Sequence, residues 1–209
     1  MYDLLAPGDG ERLALPGAEL EFWPRVDLGR DYEDLLQRLI ADSEWRQERI
    51  TVYGKPYLQP RLSAWYGDLS YRYSGIRLEP LPWSPLLLEL KNRVETLTGL
   101  EYNSVLLNYY RDGNDGMGMH SDDEPELGSR PAIASLNLGE TRDFVMRHRH
   151  RKDLDTLKLP LPAGSLLLMR GDTQLNWRHG IRKLRRPCGP RINLTFRRIF
   201  PPQGGDGPA

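Results

Sequence analysis

The sequence predicts an α+β fold, with two helices near the N-terminus and a β-sandwich or barrel-like core built from short strands. Three observations carry this expectation. Apolar residues recur twice at helical spacing before residue 100. Most of the remaining chain alternates in short β-branched and aromatic runs, and clusters of Gly, Pro, Asp and Asn punctuate those runs.

In the first helix Tyr32, Leu35, Leu36, Leu39 and Ile40 form one apolar stripe at i, i+3, i+4, i+7 and i+8. The second opens with Ser84 as an N-cap and Pro85 in the first turn. It carries Leu86, Leu87, Leu90, Val94 and Leu97, and stops near Gly99. Strands are expected at 20–23, 50–53, 102–110, 132–138, 142–147, 165–169 and 191–197. The Gly- and Pro-rich stretch 1–17 and the tail 201–209 read as loosely held ends. No repeat or long linker interrupts the rest, so residues 1–209 are expected to form a single domain.

Composition narrows the class. A chain of 209 residues with 28% charged and 39% hydrophobic residues reads as globular. Lys+Arg and Asp+Glu balance at 29 each, which argues against a general polyanion glue but allows a local basic surface. The one cysteine, Cys188, excludes an internal disulfide framework and a Cys-rich zinc site. The first residues lack a secretory pattern, and no run approaches the roughly 20 apolar residues a membrane helix needs. A soluble monomer is expected, without membrane contact, in the cytoplasm or, in a nucleated cell, the nucleus.

His120 and Asp122 form an H-x-D pair, and residues two apart in an extended segment face the same side. With His179 they supply two imidazoles and one carboxylate, the facial triad of non-haem Fe(II) oxygenases, which leaves three metal positions open. Taken alone, such a pair is more often a solvated loop. His148 and His150 sit among basic residues, where a divalent cation is disfavoured.

The segment RINLTFR adds a second constraint. Arg191, Asn193, Thr195 and Arg197 alternate with Ile192, Leu194 and Phe196, so a strand would turn the polar set to one face. Burying that face is costly unless an anion meets it, and Arg binds carboxylate through a planar two-pronged contact. A solvated edge strand is the plainer alternative. Asn108 and Tyr110 repeat the alternation and can donate to carboxylate oxygens.

Together, NYYRDGNDGMGMHSDDEPELG, IASLNLGETRDFVMRHR, GSLLLMRGDTQLNWRHG and PRINLTFR resemble the AlkB family, over about residues 50–199. These are Fe(II)- and 2-oxoglutarate-dependent dioxygenases that repair alkylated nucleobases. The resemblance implies a double-stranded β-helix (jelly-roll) core with supporting helices and an N-terminal nucleotide-recognition lid at 45–80. It implies an oxidative demethylase of 1-methyladenine and 3-methylcytosine type lesions in DNA. Decarboxylation of 2-oxoglutarate with O2 would be coupled to hydroxylation of the alkyl group, releasing formaldehyde and succinate. An RNA or tRNA demethylase and an inactive nucleic-acid-binding relative are the alternatives.

By the same resemblance His120, Asp122 and His179 are the iron ligands, and Asn108, Tyr110, Arg191, Asn193 and Arg197 hold 2-oxoglutarate. Arg191 and Tyr110 are expected at the distal carboxylate, Asn108 and Arg197 nearer the keto-acid end. PRLSAWYGDLSYRYSG resembles the lid of the eukaryotic-type DNA-repair branches, with Trp65, Tyr71 and Tyr73 placed to stack on a flipped base. Asp123 and Glu124 would favour a base made cationic by methylation. ITVYGKP resembles the loop that inserts an aromatic residue into a duplex. Tyr53 stands where the duplex-acting branch has phenylalanine, while PRLSAWYGD and HSDDEPELG are closer to the branch that prefers single strands. Basic residues concentrated in 142–152 and 178–191 could follow a phosphate backbone.

Overall fold

The computed structural model describes residues 10–52, 55–69, 71–73, 76–78 and 80–201; side chains of residues 50–56 and 70–79 are not among those described. The chain begins with a hairpin of Glu11–Leu15 (β1) and Ala18–Trp23 (β2), followed by helix Tyr32–Asp42 (α1). Two further hairpins frame one strand: Arg49–Val52 (β3) with Lys55–Leu58 (β4), then Leu62–Gly67 (β5), then Tyr71–Tyr73 (β6) with Ile76–Leu78 (β7). Helix Pro85–Thr98 (α2) leads to Ser104–Tyr110 (β8), Met117–His120 (β9), Ile133–Gly139 (β10) and Arg142–His148 (β11). The chain closes with Leu157–Leu161 (β12), Leu166–Arg170 (β13), the short helix Thr173–Asn176 (α3), Trp177–Ile181 (β14) and Arg191–Arg197 (β15).

Two antiparallel sheets form the core. The larger runs β1-β2-β13-β10-β15-β8-β5 and the smaller β12-β11-β14-β9. This is the jelly-roll arrangement, and it leaves the two inner sheet faces opposed. Helix α2 begins and stops where the sequence places its caps. Ser84 accepts from the Leu87 N–H, and Gly99 ends α2 at φ 67°. The stripe Leu35, Leu36 and Leu39 of α1 and Leu87, Leu90 and Val94 of α2 packs with Leu136, Ile192, Leu194 and Phe196, covering the outer face of the larger sheet. The inner face carries Leu20, Phe22, Leu167 and Met169 toward one side and the polar residues of β8, β10 and β15 toward the other. All seven residues of β15 are buried, and β15 lies between β10 and β8, so RINLTFR is a central strand and not a solvated edge.

One expectation is corrected at the N-terminus. Residues 11–15, within the stretch 1–17 expected to be loosely held, are paired along their length with β2. Pro16 and Gly17 are turn chemistry here, with Gly17 at φ 68° as the third residue of such a turn requires. The turn is tied down by Asn176 and Trp177, which donate to the Gly17 and Pro16 carbonyls at 2.8 and 3.0 Å. Residues 1–9 and 202–209 lie outside the described residues.

Candidate metal centre and anion cavity

Strands β9 and β14 pair so that His120 stands directly opposite His179. Glycine permits this approach, since a Cβ on Gly180 would meet the Met117 carbonyl oxygen at 2.8 Å. The two rings lie edge to face with centroids 4.3 Å apart, and Phe144 stacks on His179 at 5.0 Å. Asp122 follows the end of β9 and turns its carboxylate into the gap. Its Oδ1 is 3.7 Å from His120 Nε2, and its Oδ2 is 4.0 Å from His179 Nε2. One ligand atom from each residue lies within 4.8 Å of the others.

Neighbouring groups set the state of each ligand. His120 Nδ1 lies 3.0 Å from the Gly118 carbonyl oxygen, so it carries the proton and Nε2 keeps its lone pair. Burial lowers the pKa of His120, and burial together with His120 pulls His179 down to about 3. Burial alone would raise the Asp122 carboxyl, but the Arg197 guanidinium and the two histidines hold it below the ordinary range. Arg197 donates to Asp122 Oδ1 at 3.0 Å, and Gln174 Oε1 accepts from the Asp122 N–H at 3.0 Å. Two neutral imidazoles and one ionised carboxylate are the donor set that suits ferrous iron with open positions.

The triad borders a cavity between the sheets, lined also by Asn108, Tyr110, Asn193, Thr195 and Arg191. Arg191 pairs in register with Tyr110, and its guanidinium lies over the Tyr110 ring, 5.0 Å from the centroid. Arg191 is 1% exposed. Its Nη2 donates to Asn137, yet Nε and Nη1 have no hydrogen-bond partner among the described residues. Burial lowers its pKa to about 10, which leaves it charged at neutral pH. A buried cation with two orphaned donors fits an anion, and the planar fork fits a carboxylate. Asn108 pairs with Asn193 and accepts from Arg61 at 2.7 Å through Oδ1, so its amide nitrogen is the end left to offer a ligand.

The remaining expected residues fall in several places. Trp65 is 4% exposed and packs with Leu106, Leu127 and Ile199, a core cluster and not an open face. Asp123 is half-exposed and paired to Arg149 at 2.9 Å. Glu124 is partly buried, just before the turn Pro125–Leu127. Tyr53 lies outside the described residues; Tyr71 and Tyr73 are placed by backbone alone, in β6.

Three residues at the site had no separate signal in the sequence. Arg61 is buried against Asn108, Gln174 holds the Asp122 backbone, and Asn137 holds Arg191. Each is an ordinary polar residue until a partner from another strand meets it.

The comparisons agree with this geometry. Residues 29–197 match the family model described as the 2OG-Fe(II) oxygenase superfamily. The chain is 44% identical over 191 residues to the alpha-ketoglutarate-dependent dioxygenase alkB homolog 3 of Rattus norvegicus, covering 87% of this chain and 64% of that protein. It is 39% identical over 194 residues to the DNA oxidative demethylase ALKBH2 of Mus musculus, covering 83% of this chain and 81% of that one. The solved structure of OsALKBH1 superposes with a TM-score of 0.60 at 18% identity, covering 90% of this chain and 99% of the other, a likeness of fold. The fold and site thus place the chain in the 2OG-Fe(II) oxygenase superfamily. Within that superfamily the chain belongs to the AlkB family, of the eukaryotic type.

The family requires Fe(II), 2-oxoglutarate (α-ketoglutarate) and O2. The described residues include no helix long and apolar enough to cross a membrane.

Proposed function

We propose that the protein is an oxidative demethylase of N-alkylated nucleobases, acting on 1-methyladenine and 3-methylcytosine type lesions in DNA. The observation that carries this reading is the juxtaposition of the His120, Asp122 and His179 ligand atoms with the orphaned Arg191 guanidinium in one cavity. The relatives named as a DNA oxidative demethylase and as alkB homolog dioxygenases support the substrate class.

In this reading His120, Asp122 and His179 hold Fe(II), which when bound with 2-oxoglutarate and O2 supplies the oxidation of the N-methyl carbon. The chain's own groups bind and orient. Arg191 and Tyr110 take the distal carboxylate of 2-oxoglutarate; Asn108 and Arg197 border the end nearer the metal, and Asn193 completes the wall. The hydroxymethyl product loses formaldehyde, and the base is restored. Strands β3–β4 and β6–β7 serve as the nucleotide lid within 45–80, with Tyr53, Tyr71 and Tyr73 as its aromatic residues, while Trp65 packs in the core beneath it and is not a stacking face. Asp123 and Glu124 add negative charge beside a cationic base. The whole of 1–209 works as one catalytic domain and as a monomer, in the compartment that holds its nucleic acid, the cytoplasm or a nucleus.

Charge outside the cavity supports a polyanionic substrate. Arg142 and Arg191 belong to the interior, but Arg147, Arg178, Arg182 and Lys183 are exposed and form no salt bridge with the described residues. Arg147 and Arg178 stand opposite each other on β11 and β14, the strand that carries His179. Side chains alternate along a strand, so these two cations lie on the sheet face opposite His179, where they can hold phosphates outside the cavity.

The test is formaldehyde release from oligonucleotides carrying one methylated base, as single-stranded DNA, duplex DNA and RNA, with Fe(II) and 2-oxoglutarate. Release that requires both supports the reading. Faster release from RNA than from either DNA form moves the substrate to RNA, and no release from any oligomer rejects demethylation.

A further inference from the structure

Arg191 is held by a neighbour that none of the binding roles above includes. Asn137 on β10 is 1% exposed and stands opposite Asn193 of β15. Its Nδ2 donates to the Ser135 carbonyl oxygen at 3.1 Å and to the Ser165 carbonyl and hydroxyl oxygens at 3.2 and 3.3 Å. Its Oδ1 accepts from Arg191 Nη2 at 2.5 Å and from Asn193 Nδ2 at 3.2 Å. The amide orientation therefore follows from chemistry. A flipped amide would set its NH2 against two other donors and its oxygen against two carbonyls.

Main-chain bonds hold the same residue in place. The Asn137 N–H donates to the Ser165 carbonyl at 3.0 Å, and the Gly164 N–H donates to the Asn137 carbonyl at 2.7 Å. Asn193 is locked in turn, its Nδ2 donating to Ser135 Oγ at 2.7 Å and its Oδ1 accepting from Thr195 at 2.8 Å.

We infer that Asn137 is a positioning residue for co-substrate binding. It takes one hydrogen of Arg191 Nη2 and leaves Nη1, Nε and the second Nη2 hydrogen, so one edge of the guanidinium can still meet the distal carboxylate of 2-oxoglutarate. This rests on the assignment of Arg191 to that carboxylate. The choice of a neutral acceptor matters. A carboxylate at residue 137 would compete with the ligand for the guanidinium, whereas an amide oxygen steers it and leaves its charge uncompensated. Fixing the fork before binding removes an ordering cost that a free arginine would meet on each encounter.

The test is anaerobic calorimetric titration of Mn(II)-loaded protein with 2-oxoglutarate, using wild type, Asn137→Ala, Asn137→Asp and Arg191→Ala, with Mn(II) affinity measured separately. Asn137→Ala should weaken 2-oxoglutarate about tenfold, within the range for a hydrogen bond to a charged group, and leave Mn(II) affinity unchanged. In turnover KM for 2-oxoglutarate should rise with kcat near wild type. Asn137→Asp preserves volume and an acceptor, so it remains a test if the alanine variant does not fold, and it should weaken 2-oxoglutarate at least as much. If Arg191→Ala weakens 2-oxoglutarate and both Asn137 variants bind it like wild type, the Asn137 role is overturned while the Arg191 assignment stands. If Arg191→Ala binds 2-oxoglutarate normally, both fall. Parallel loss of Mn(II) and 2-oxoglutarate affinity in the Asn137 variants would mark a merely structural residue and also overturn the inference.

Discussion

The Arg197 guanidinium donates to Asp122 Oδ1 across 3.0 Å, and both side chains are 2% exposed. A cation is thus paired with a carboxylate that also faces two imidazoles, so the metal-free site is not an unbalanced buried anion. Removing one partner of such a pair leaves the other charged and desolvated.

Arg197→Met should therefore lower the stability of the metal-free protein by about 3 kcal/mol, the low end for breaking a buried pair. It should also enlarge the rise in Tm on adding Mn(II), because the added cation takes over part of the lost compensation. Paired thermal melts with and without the metal check this. Equal metal-induced shifts in variant and wild type would show that Arg197 does not balance Asp122.

His120→Ala, Asp122→Ala and His179→Ala each remove one of three ligand atoms gathered within 4.8 Å. Each should abolish turnover and remove most of the metal-induced stabilisation, which for a single site at a hundredfold excess over Kd is about 2.7 kcal/mol. Melts against Mn(II) concentration measure it. A variant that keeps the full shift does not belong to the ligand set.

Much of this site was legible before any coordinates, for identifiable reasons. The alternation in β15 has a period of two, so Arg191, Asn193, Thr195 and Arg197 announce a shared face whatever the strand pairs with. His120 and Asp122 are close in sequence, and α1 and α2 carry local caps. Other features depend on distant partners. β9 has four residues, one of them glycine, and β14 has five; neither shows a strand pattern until His120 and His179 meet in register. Pro16 and Gly17 read as looseness because composition does not distinguish a fixed turn from a frayed arm. Asn137 and Gln174 are inconspicuous because an amide's role is set by what lies across from it.

Asp115 shapes the loop that leads into β9. Burial would raise its carboxyl, but hydrogen bonds from the Arg111 side chain and N–H, at 2.8 and 2.9 Å, outweigh that and hold it below the ordinary value. The folded pKa is thus below the unfolded one of about 3.9, so the contribution is present above that pH and is lost as pH falls through the folded value. Asp115→Asn should lower the urea midpoint at pH 7 and narrow its gap to wild type as the pH is taken below about 4. A gap that stays constant across that range would place the effect outside the Arg111 pair.

The exposed cations on and next to the smaller sheet make a prediction about salt. Arg147, Arg178, Arg182 and Lys183 are exposed and form no salt bridge with the described residues, so each is available to displace a counterion from a phosphate. Arg147→Ala and Arg182→Ala should weaken oligonucleotide binding similarly across base sequences, since a phosphate contact carries no base information. Each should reduce the slope of log K against log salt by about 0.7 for a single strand or 0.9 for a duplex, and the double variant by nearly twice that. KM for 2-oxoglutarate should stay at its wild-type value, because neither residue lines the cavity that holds Arg191. Fluorescence anisotropy across a salt series measures the slope. An unchanged slope in both variants would mean that the nucleic acid approaches the metal centre from another side.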